Sequence, residues 1–223
     1  MIRSVDGCLP RHSLVWTDRI HWQRYLSAKL PSDHLAAATA WFRSGRPAIV
    51  RRRRAAEPAG VSLGIPLSPA NGRVRIALTL ADEAIREIQL PPSLARVIPA
   101  APPRWQPALK QLMHAAQTRG VSFRVYGSLA WQYLTNECYV TTNSDVDLLF
   151  YPVDYPQLRL SLQLLQDWEQ NSGLRADGEC ISACGTAVAW REMLGTSDKF
   201  LTKDISSAQL RTRAEIFQNL FRP

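Results

Sequence analysis

The spacing of apolar positions divides the chain into short, distinct elements. Over 73–80, Val74, Ile76, Leu78 and Leu80 alternate with Arg73, Arg75, Ala77 and Thr79, the period of a half-buried strand. Asn71-Gly72, a preferred dipeptide of two-residue hairpin turns, joins it to an apolar run over 61–67. Ahead of this hairpin, 34–43 reads as a helix with Ser32 or Asp33 as its cap and Gly45 just past its end. Residues 1–90 are therefore expected to form a small mixed α and β domain.

Six prolines between Pro91 and Pro107 deny the backbone donors that a helix or central strand needs, so 91–107 is expected to be a linker. Beyond it, 108–118 places Leu109, Leu112, Met113 and Ala116 on one helical face, and Gly120 stops it. A strand over 121–125 breaks at Gly127-Ser128 into a helix over 129–134. The strand over 145–150 puts Asp145 and Asp147 on one face and Val146, Leu148 and Phe150 on the other. A helix over 158–168 and strands over 174–182 and 186–191 follow. The closing helix is expected over 207–221, capped by Ser206 and Gln209, with Leu210, Ala214, Phe217 and Phe221 as its buried stripe. The fold class is α+β, with residues 108–223 as the second domain.

Composition narrows the function. At 223 residues, 46% hydrophobic and 21% charged, the chain can bury a sizeable core. No run approaches the roughly 18 apolar residues of a membrane span, and the first residues lack a signal peptide's apolar run, so a soluble cytoplasmic protein without a membrane partner is expected. The net charge of +8 is uneven: residues 1–105 carry 16 basic and 7 acidic side chains, against 11 and 12 in residues 106–223. Only Lys29, Lys110, Lys199 and Lys203 of the 27 cations are lysines; arginine's planar fork suits phosphate or carboxylate, and the asymmetry between the halves favours an anionic partner. Cys8, Cys138, Cys180 and Cys184 show no C-x-x-C spacing, and His12, His21, His34 and His114 no H-x-x-x-H, which counts against structural zinc or a redox pair. The cysteines are expected to be reduced and buried.

The chemistry concentrates in Tyr126-Gly127-Ser128 and Ser144-Asp145-Val146-Asp147. A glycine where a strand turns into a helix lets backbone N–H groups approach a phosphate, and the Ser128 hydroxyl adds a donor. Two aspartates at i and i+2 of a strand point to one side, a pair of hard oxygen ligands suited to Mg²⁺. Acids on a strand that reads as core are costly unless something pairs with them. Asp177 and Glu179 share a face on the next strand, and either could complete the site.

The Gly-Ser turn, Asp-x-Asp strand and later acidic strand resemble the polymerase β-like nucleotidyltransferase superfamily, although the gap between the first two is longer than usual. That likeness implies a catalytic domain built on a mixed sheet flanked by helices. A narrower likeness spans nearly the whole chain. Pro10-Arg11-His12-Ser13-Leu14-Val15-Trp16, Gly45-Arg46-Pro47-Ala48-Ile49-Val50-Arg51-Arg52, Val125-Tyr126-Gly127-Ser128-Leu129-Ala130-Trp131-Gln132, Ser144-Asp145-Val146-Asp147-Leu148-Leu149, and Asp177-Gly178-Glu179 with Val188-Ala189-Trp190-Arg191-Glu192 resemble the phosphoribosyl-dephospho-coenzyme A transferases, the holo-acyl carrier protein synthases of malonate decarboxylase. The resemblance implies transfer of a phosphoribosyl-dephospho-CoA group from triphosphoribosyl-dephospho-CoA to a serine of the decarboxylase's acyl carrier subunit, with release of pyrophosphate. It makes Asp145, Asp147 and Asp177 the metal ligands, with Asp177 orienting the metal or taking the serine proton and Glu179 as its alternative. Gly127 and Ser128 then hold the triphosphate, and Arg191, Lys199 and Lys203 are candidate phosphate ligands.

Arg11 and His12 belong to a family-like block, while Arg51 to Arg54 is either a solvated run or a dock for the carrier or the dephospho-CoA moiety. Trp131, Trp168 and Trp190 fit core positions, although Trp131 could stack an adenine. Two other functions fit parts of the pattern. The Gly-Ser and Asp-x-Asp core fixes the reaction type better than the acceptor, so a nucleotidyltransferase adenylylating a small molecule, a protein or RNA is the second reading. A nucleic-acid-binding protein is the third, but the neutral second half and the absence of a recognisable binding motif count against nucleic acid as a partner.

Overall fold

The computed structural model describes residues 9–18, 22–23, 32–54, 56–67, 72 and 74–221. The chain is α+β and divides into two compact units, Met1–Leu90 with Ile205–Ser207, and Pro91–Asp204 with Ala208–Pro223.

In the first unit, strands β1 (Leu14–Thr17), β2 (Ala48–Val50), β3 (Val61–Pro66), β4 (Arg75–Leu80) and β5 (Ile85–Gln89) form an antiparallel sheet in the order β4-β3-β2-β1-β5. The expected pairing of the apolar run with the alternating strand is present, in register from Val61 opposite Leu80 to Pro66 opposite Arg75. Residues 68–71 and 73, which include Asn71 of the expected turn, lie outside the described residues. Helix α1 (Ser32–Arg43) buries Ala38, Trp41 and Phe42, one stripe at i, i+3 and i+4. The Trp41 indole N–H donates to the Pro47 carbonyl at 2.9 Å, and Gly45 at φ +71° makes the left-handed stop.

The second unit is a six-stranded mixed sheet in the order β11-β10-β9-β8-β7-β6: β6 (Arg124–Val125), β7 (Val146–Phe150), β8 (Ala176–Ile181), β9 (Ala187–Ala189), β10 (Lys199–Lys203) and β11 (Ala208–Thr212). Only β7 and β8 run parallel, so a crossover must connect them, and helix α5 (Tyr155–Ser172) supplies it. The Asp154 carboxylate caps α5 by accepting from the Gln157 N–H at 2.7 Å, and Gly173 at φ +69° ends it. Leu158, Leu162, Leu165 and Trp168 of α5 pack with Leu109, Leu112 and Ala116 of α3 (Gln106–Gln117) and Leu129 and Ala130 of α4 (Gly127–Thr135). These side chains cover one face of the sheet: Val125, Val146, Leu148, Phe150, Ala176, Cys180, Val188 and Phe200. Trp131, Trp168 and Trp190 are all buried.

The proline-rich segment expected to be a linker is folded into this second core. Helix α2 (Leu94–Val97) and a 3-10 turn (Ile98–Ala100) occupy it, and Leu94, Val97, Ile98, Ala101 and Trp105 are buried. Prolines at 91, 92 and 99 fall where no donor is missed. The Pro92 carbonyl accepts from the Val125 N–H at 2.8 Å, which extends the short edge strand β6, and Pro99 is the second residue of the 3-10 turn.

The end of the chain also differs from expectation. Residues 208–212 are β11, paired with β10 from Lys199 opposite Thr212 to Lys203 opposite Ala208. Helix α7 (Arg213–Asn219) begins only after it, and its capping box is Thr212 with Glu215, not Ser206 with Gln209. Ile216 within it and Leu220 just after it are buried, whereas Leu210 is 67% exposed. Residues 186–191 split in the same way, into β9 and helix α6 (Trp190–Leu194). Among the described cysteines only Cys180 is buried; Cys138 and Cys184 are exposed.

Candidate active site

Two geometric facts build the site. Strand β6 runs antiparallel to β7, so its exit into α4 lies at the end of the sheet where β7 begins. The Tyr126 N–H donates to the Asp147 carbonyl at 3.1 Å, and the chain then turns into α4 at Gly127 with φ +63°. A Cβ at Gly127 would sit 1.8 Å from Asp147 Oδ2, so both the backbone conformation and the space require glycine. Tyr126, the residue ahead of α4, offers no side-chain cap to its N–H groups, and the half-buried Ser128 lies in the first turn.

The second fact is the register of the parallel pair. Asp147 lies opposite Asp177, and Leu149 opposite Glu179. Strand alternation therefore places Asp147, Asp177 and Glu179 on one face, with Arg124 and Tyr126 of the neighbouring segment, while Val146, Leu148, Ala176 and Cys180 form the core face. Gly178, between the two acids, is needed for packing, because a Cβ there would come 2.1 Å from the Leu148 carbonyl oxygen.

The acids differ in their surroundings. Asp145 Oδ1 lies 3.6 Å from Arg175 Nε. Asp177 is exposed, and its Oδ1 accepts from the Gly178 N–H at 2.8 Å. Glu179 is only 4% exposed and is paired with Lys203 Nζ at 3.2 Å. That pair reaches across β9 because the intervening residues, Ala189 opposite Glu179 and Ala187 opposite Lys203, are small. Beside it, burial pushes the Tyr151 phenol up to about 12, with Glu179 adding to the shift and Arg124 opposing it. Tyr151 therefore stays a protonated donor.

The three carboxylates expected to share one ion do not converge. Among the described residues no group of three His, Cys, Asp or Glu side chains is placed to hold a metal. The reason is visible in their contacts: Asp145 faces Arg175, and Asp177 turns back to its own strand. Asp147 and Asp177 remain in-register neighbours on one face, and two carboxylates completed by water and phosphate oxygens are the donor set that Mg²⁺ ordinarily takes. By that chemistry the residues fit the ion.

Two of the three expected phosphate-binding cations are engaged. Arg191 is bonded to Glu169 and donates to the Ala176 carbonyl at 2.9 Å. The Glu169 hydrogen bond is the main cause holding the Arg191 guanidinium above its usual range, while burial, which would push the Glu169 carboxyl up, is outweighed by Arg191 and the Ala176 N–H. Lys203 is held by Glu179, and Lys199 begins β10 with an exposed side chain. In the first unit, Arg51 pairs with Glu57 at 2.6 Å and also donates to the Leu63 carbonyl, so the basic run is anchored at one end while Arg52, Arg53 and Arg54 are exposed. His12 is held at φ +66°, with Arg11 Nη2 at 3.3 Å from its Nε2.

Arg124, Tyr151 and Arg175, which border the acids, carry no motif that marks them in the sequence. Arg175 meets Asp145 only through the β7-β8 register, which no local pattern reveals. Alternation from Tyr126 back to Arg124 was the one available signal.

Comparison with known proteins gives this geometry its context. Residues 10–91 match the family model of the phosphoribosyl-dephospho-CoA transferase MdcG N-terminal domain, and residues 93–214 that of the C-terminal domain. The chain belongs to the phosphoribosyl-dephospho-CoA transferase family. It is 40% identical over 210 residues to a phosphoribosyl-dephospho-CoA transferase of Xanthomonas euvesicatoria pv. vesicatoria, covering 93% of this chain and 96% of that protein. It is 41% identical over 214 residues to one of Xanthomonas campestris pv. campestris, with the same coverage, and 38% over 205 residues to one of Bradyrhizobium diazoefficiens, covering 91% and 90%. No solved structure matches the chain. As a member of the phosphoribosyl-dephospho-CoA transferases the protein is a transferase, and among its described residues no helix is long and apolar enough to cross a membrane.

Proposed function

We propose that this transferase moves the phosphoribosyl-dephospho-CoA group from 2'-(5''-triphosphoribosyl)-3'-dephospho-CoA to a serine hydroxyl of the malonate decarboxylase acyl carrier subunit, releasing pyrophosphate in a cytoplasmic reaction. Beyond family membership, the observation that carries the reading is the contact of Gly127 with Asp147, which sets the α4 N-terminus beside an acidic strand.

Each residue then has a task. The first N–H groups of α4 and the Ser128 hydroxyl donate to phosphate oxygens of the donor. Asp147, with Asp177 in register opposite it, would hold Mg²⁺, and Asp145, which lies just ahead of β7 and is paired with Arg175, would join them on leaving that pair. When bound, that ion neutralises charge on the reacting phosphate and on the departing pyrophosphate. The serine oxygen forms a bond to the α-phosphorus as the bond from that phosphorus to the bridging oxygen breaks, and the pair of electrons leaves with pyrophosphate. Asp177 accepts the serine proton. Its exposure supports this role over Glu179, which is buried and committed to Lys203. Arg191, tied to Glu169, supports the acids from one side rather than gripping phosphate.

The test is pyrophosphate release from the donor in the presence of Mg²⁺. Release that depends on the carrier subunit and fails with a carrier lacking its acceptor serine is expected. Release with ATP in place of the donor, on another acceptor, would instead favour an adenylylating enzyme.

A further inference from the structure

A cleft of about 530 Å³ opens in the second unit, lined in part by Asp145. Three segments wall it: 142–145 ahead of β7, 173–175 ahead of β8, and 104–105 ahead of α3. Its size is that of a small-molecule site. Two arginines, Arg104 and Arg175, line it with one carboxylate, Asp145, whose Oδ1 is 3.6 Å from Nε of the exposed Arg175 side chain. Arg104 is exposed and has no ion-pair partner among the described residues. The wall ahead of β7 is a closed turn, in which the Ser144 hydroxyl accepts from the Thr141 N–H at 2.9 Å and the Ser144 N–H donates to the Thr141 carbonyl at 3.2 Å. This turn leaves Thr142 and Asn143 exposed on the cleft.

We propose that this cleft is a diphosphate-binding subsite, with Arg104 and Arg175 gripping the phosphates and Asn143 donating an amide N–H. The proposal rests on the function given above, because it concerns the same donor. Two guanidinium forks beside the polar turn at Thr142 and Asn143 match a bridged pair of phosphates, whose oxygens accept several charge-assisted hydrogen bonds at once. The cleft shares Asp145 with the acidic end of the sheet, so a donor seated at Gly127 would have a second phosphate-bearing part close by. Two parts of the donor carry that chemistry: the diphosphate within dephospho-CoA, and the pyrophosphate that leaves.

Calorimetric titration of the full chain with dephospho-CoA, and separately with inorganic pyrophosphate, distinguishes them. In Arg104→Gln, and in Arg104→Gln with Arg175→Gln, the affinity for one of these ligands should fall about tenfold or more, given what a hydrogen bond between charged groups contributes. The ligand that weakens is the occupant. Asn143→Asp, which sets a negative charge in the exposed turn, should weaken the same ligand and leave thermal unfolding unchanged. Wild-type affinity for both ligands in all three variants would overturn the proposal. The wild-type protein reports separately on the function, because carrier modification by it stands or fails whatever the cleft binds.

Discussion

Gly127 and Asp147 compete for one volume: a Cβ on Gly127 would lie 2.5 Å from the Asp147 carboxylate carbon, so the turn and the acid fit only because the side chain is missing. The closeness sets the carboxylate against the first turn of α4, where phosphate is expected.

Gly127→Ala should therefore fail twice. The left-handed backbone at φ +63° costs about 1–2 kcal/mol for a non-glycine residue, and Asp147 must also move. Transfer should fall at least a hundredfold. In a double-mutant cycle with Asp147→Ala, the stability losses should be less than additive, because the smaller side chain relieves the clash. Additive losses would mean the two residues do not meet.

Asp147→Asn should abolish transfer while thermal stability stays the same or rises slightly, since it removes like-charge repulsion from Asp177 without removing volume. Wild-type activity in both Asp145→Asn and Asp147→Asn would contradict the metal assignment.

Glu179 and Lys203 act as a structural pair on the acidic face. Glu179→Gln should lower stability by about 1–3 kcal/mol, because it leaves the ammonium of a largely buried pair without its counter-charge. The fall in kcat should be much smaller than for Asp177→Asn. A larger loss of kcat in the Glu179 variant would make Glu179 the base.

In the first unit, burial alone would push the Glu57 carboxyl up, but hydrogen bonds from the Arg51 guanidinium, the Arg54 N–H and the Ser62 hydroxyl outweigh it and hold it at about 2. A carboxylate lowered in the folded state contributes fully above its ordinary value of 4.5, and that contribution is lost as pH falls towards 2. Glu57→Gln should destabilise by about 1–2 kcal/mol at pH 7, with the difference from wild type narrowing below about pH 4. Thermal unfolding at both pH values checks this; a difference that does not change with pH would refute it.

How much of this was legible in the sequence depended on how local the signal was. Asp147 pointing away from Val146, Leu148 and Phe150 follows from alternation alone, and the glycine turn follows from its neighbours. The closing segment misled because Leu210, Ala214, Phe217 and Phe221 are spaced as a helical stripe, while residues 208–212 are claimed by pairing with β10. Leu210 there sits opposite Leu201 on the hairpin, a contact between segments that no single-segment period shows. The proline run misled for a related reason: its prolines fall where donors are not needed, which only the partner segment at 123–125 reveals. Likewise, the pairing of Glu179 with Lys203 and of Arg191 with Glu169 depends on strand order and crossover, not on spacing.

Mass spectrometry of the intact malonate decarboxylase acyl carrier subunit, after reaction with the protein, triphosphoribosyl-dephospho-CoA and Mg²⁺, tests the central claim most directly. The account predicts a single added phosphoribosyl-dephospho-CoA group on a serine with the wild-type protein and none with Asp147→Asn. An unmodified carrier with the wild-type protein, or one carrying a different group, would contradict it.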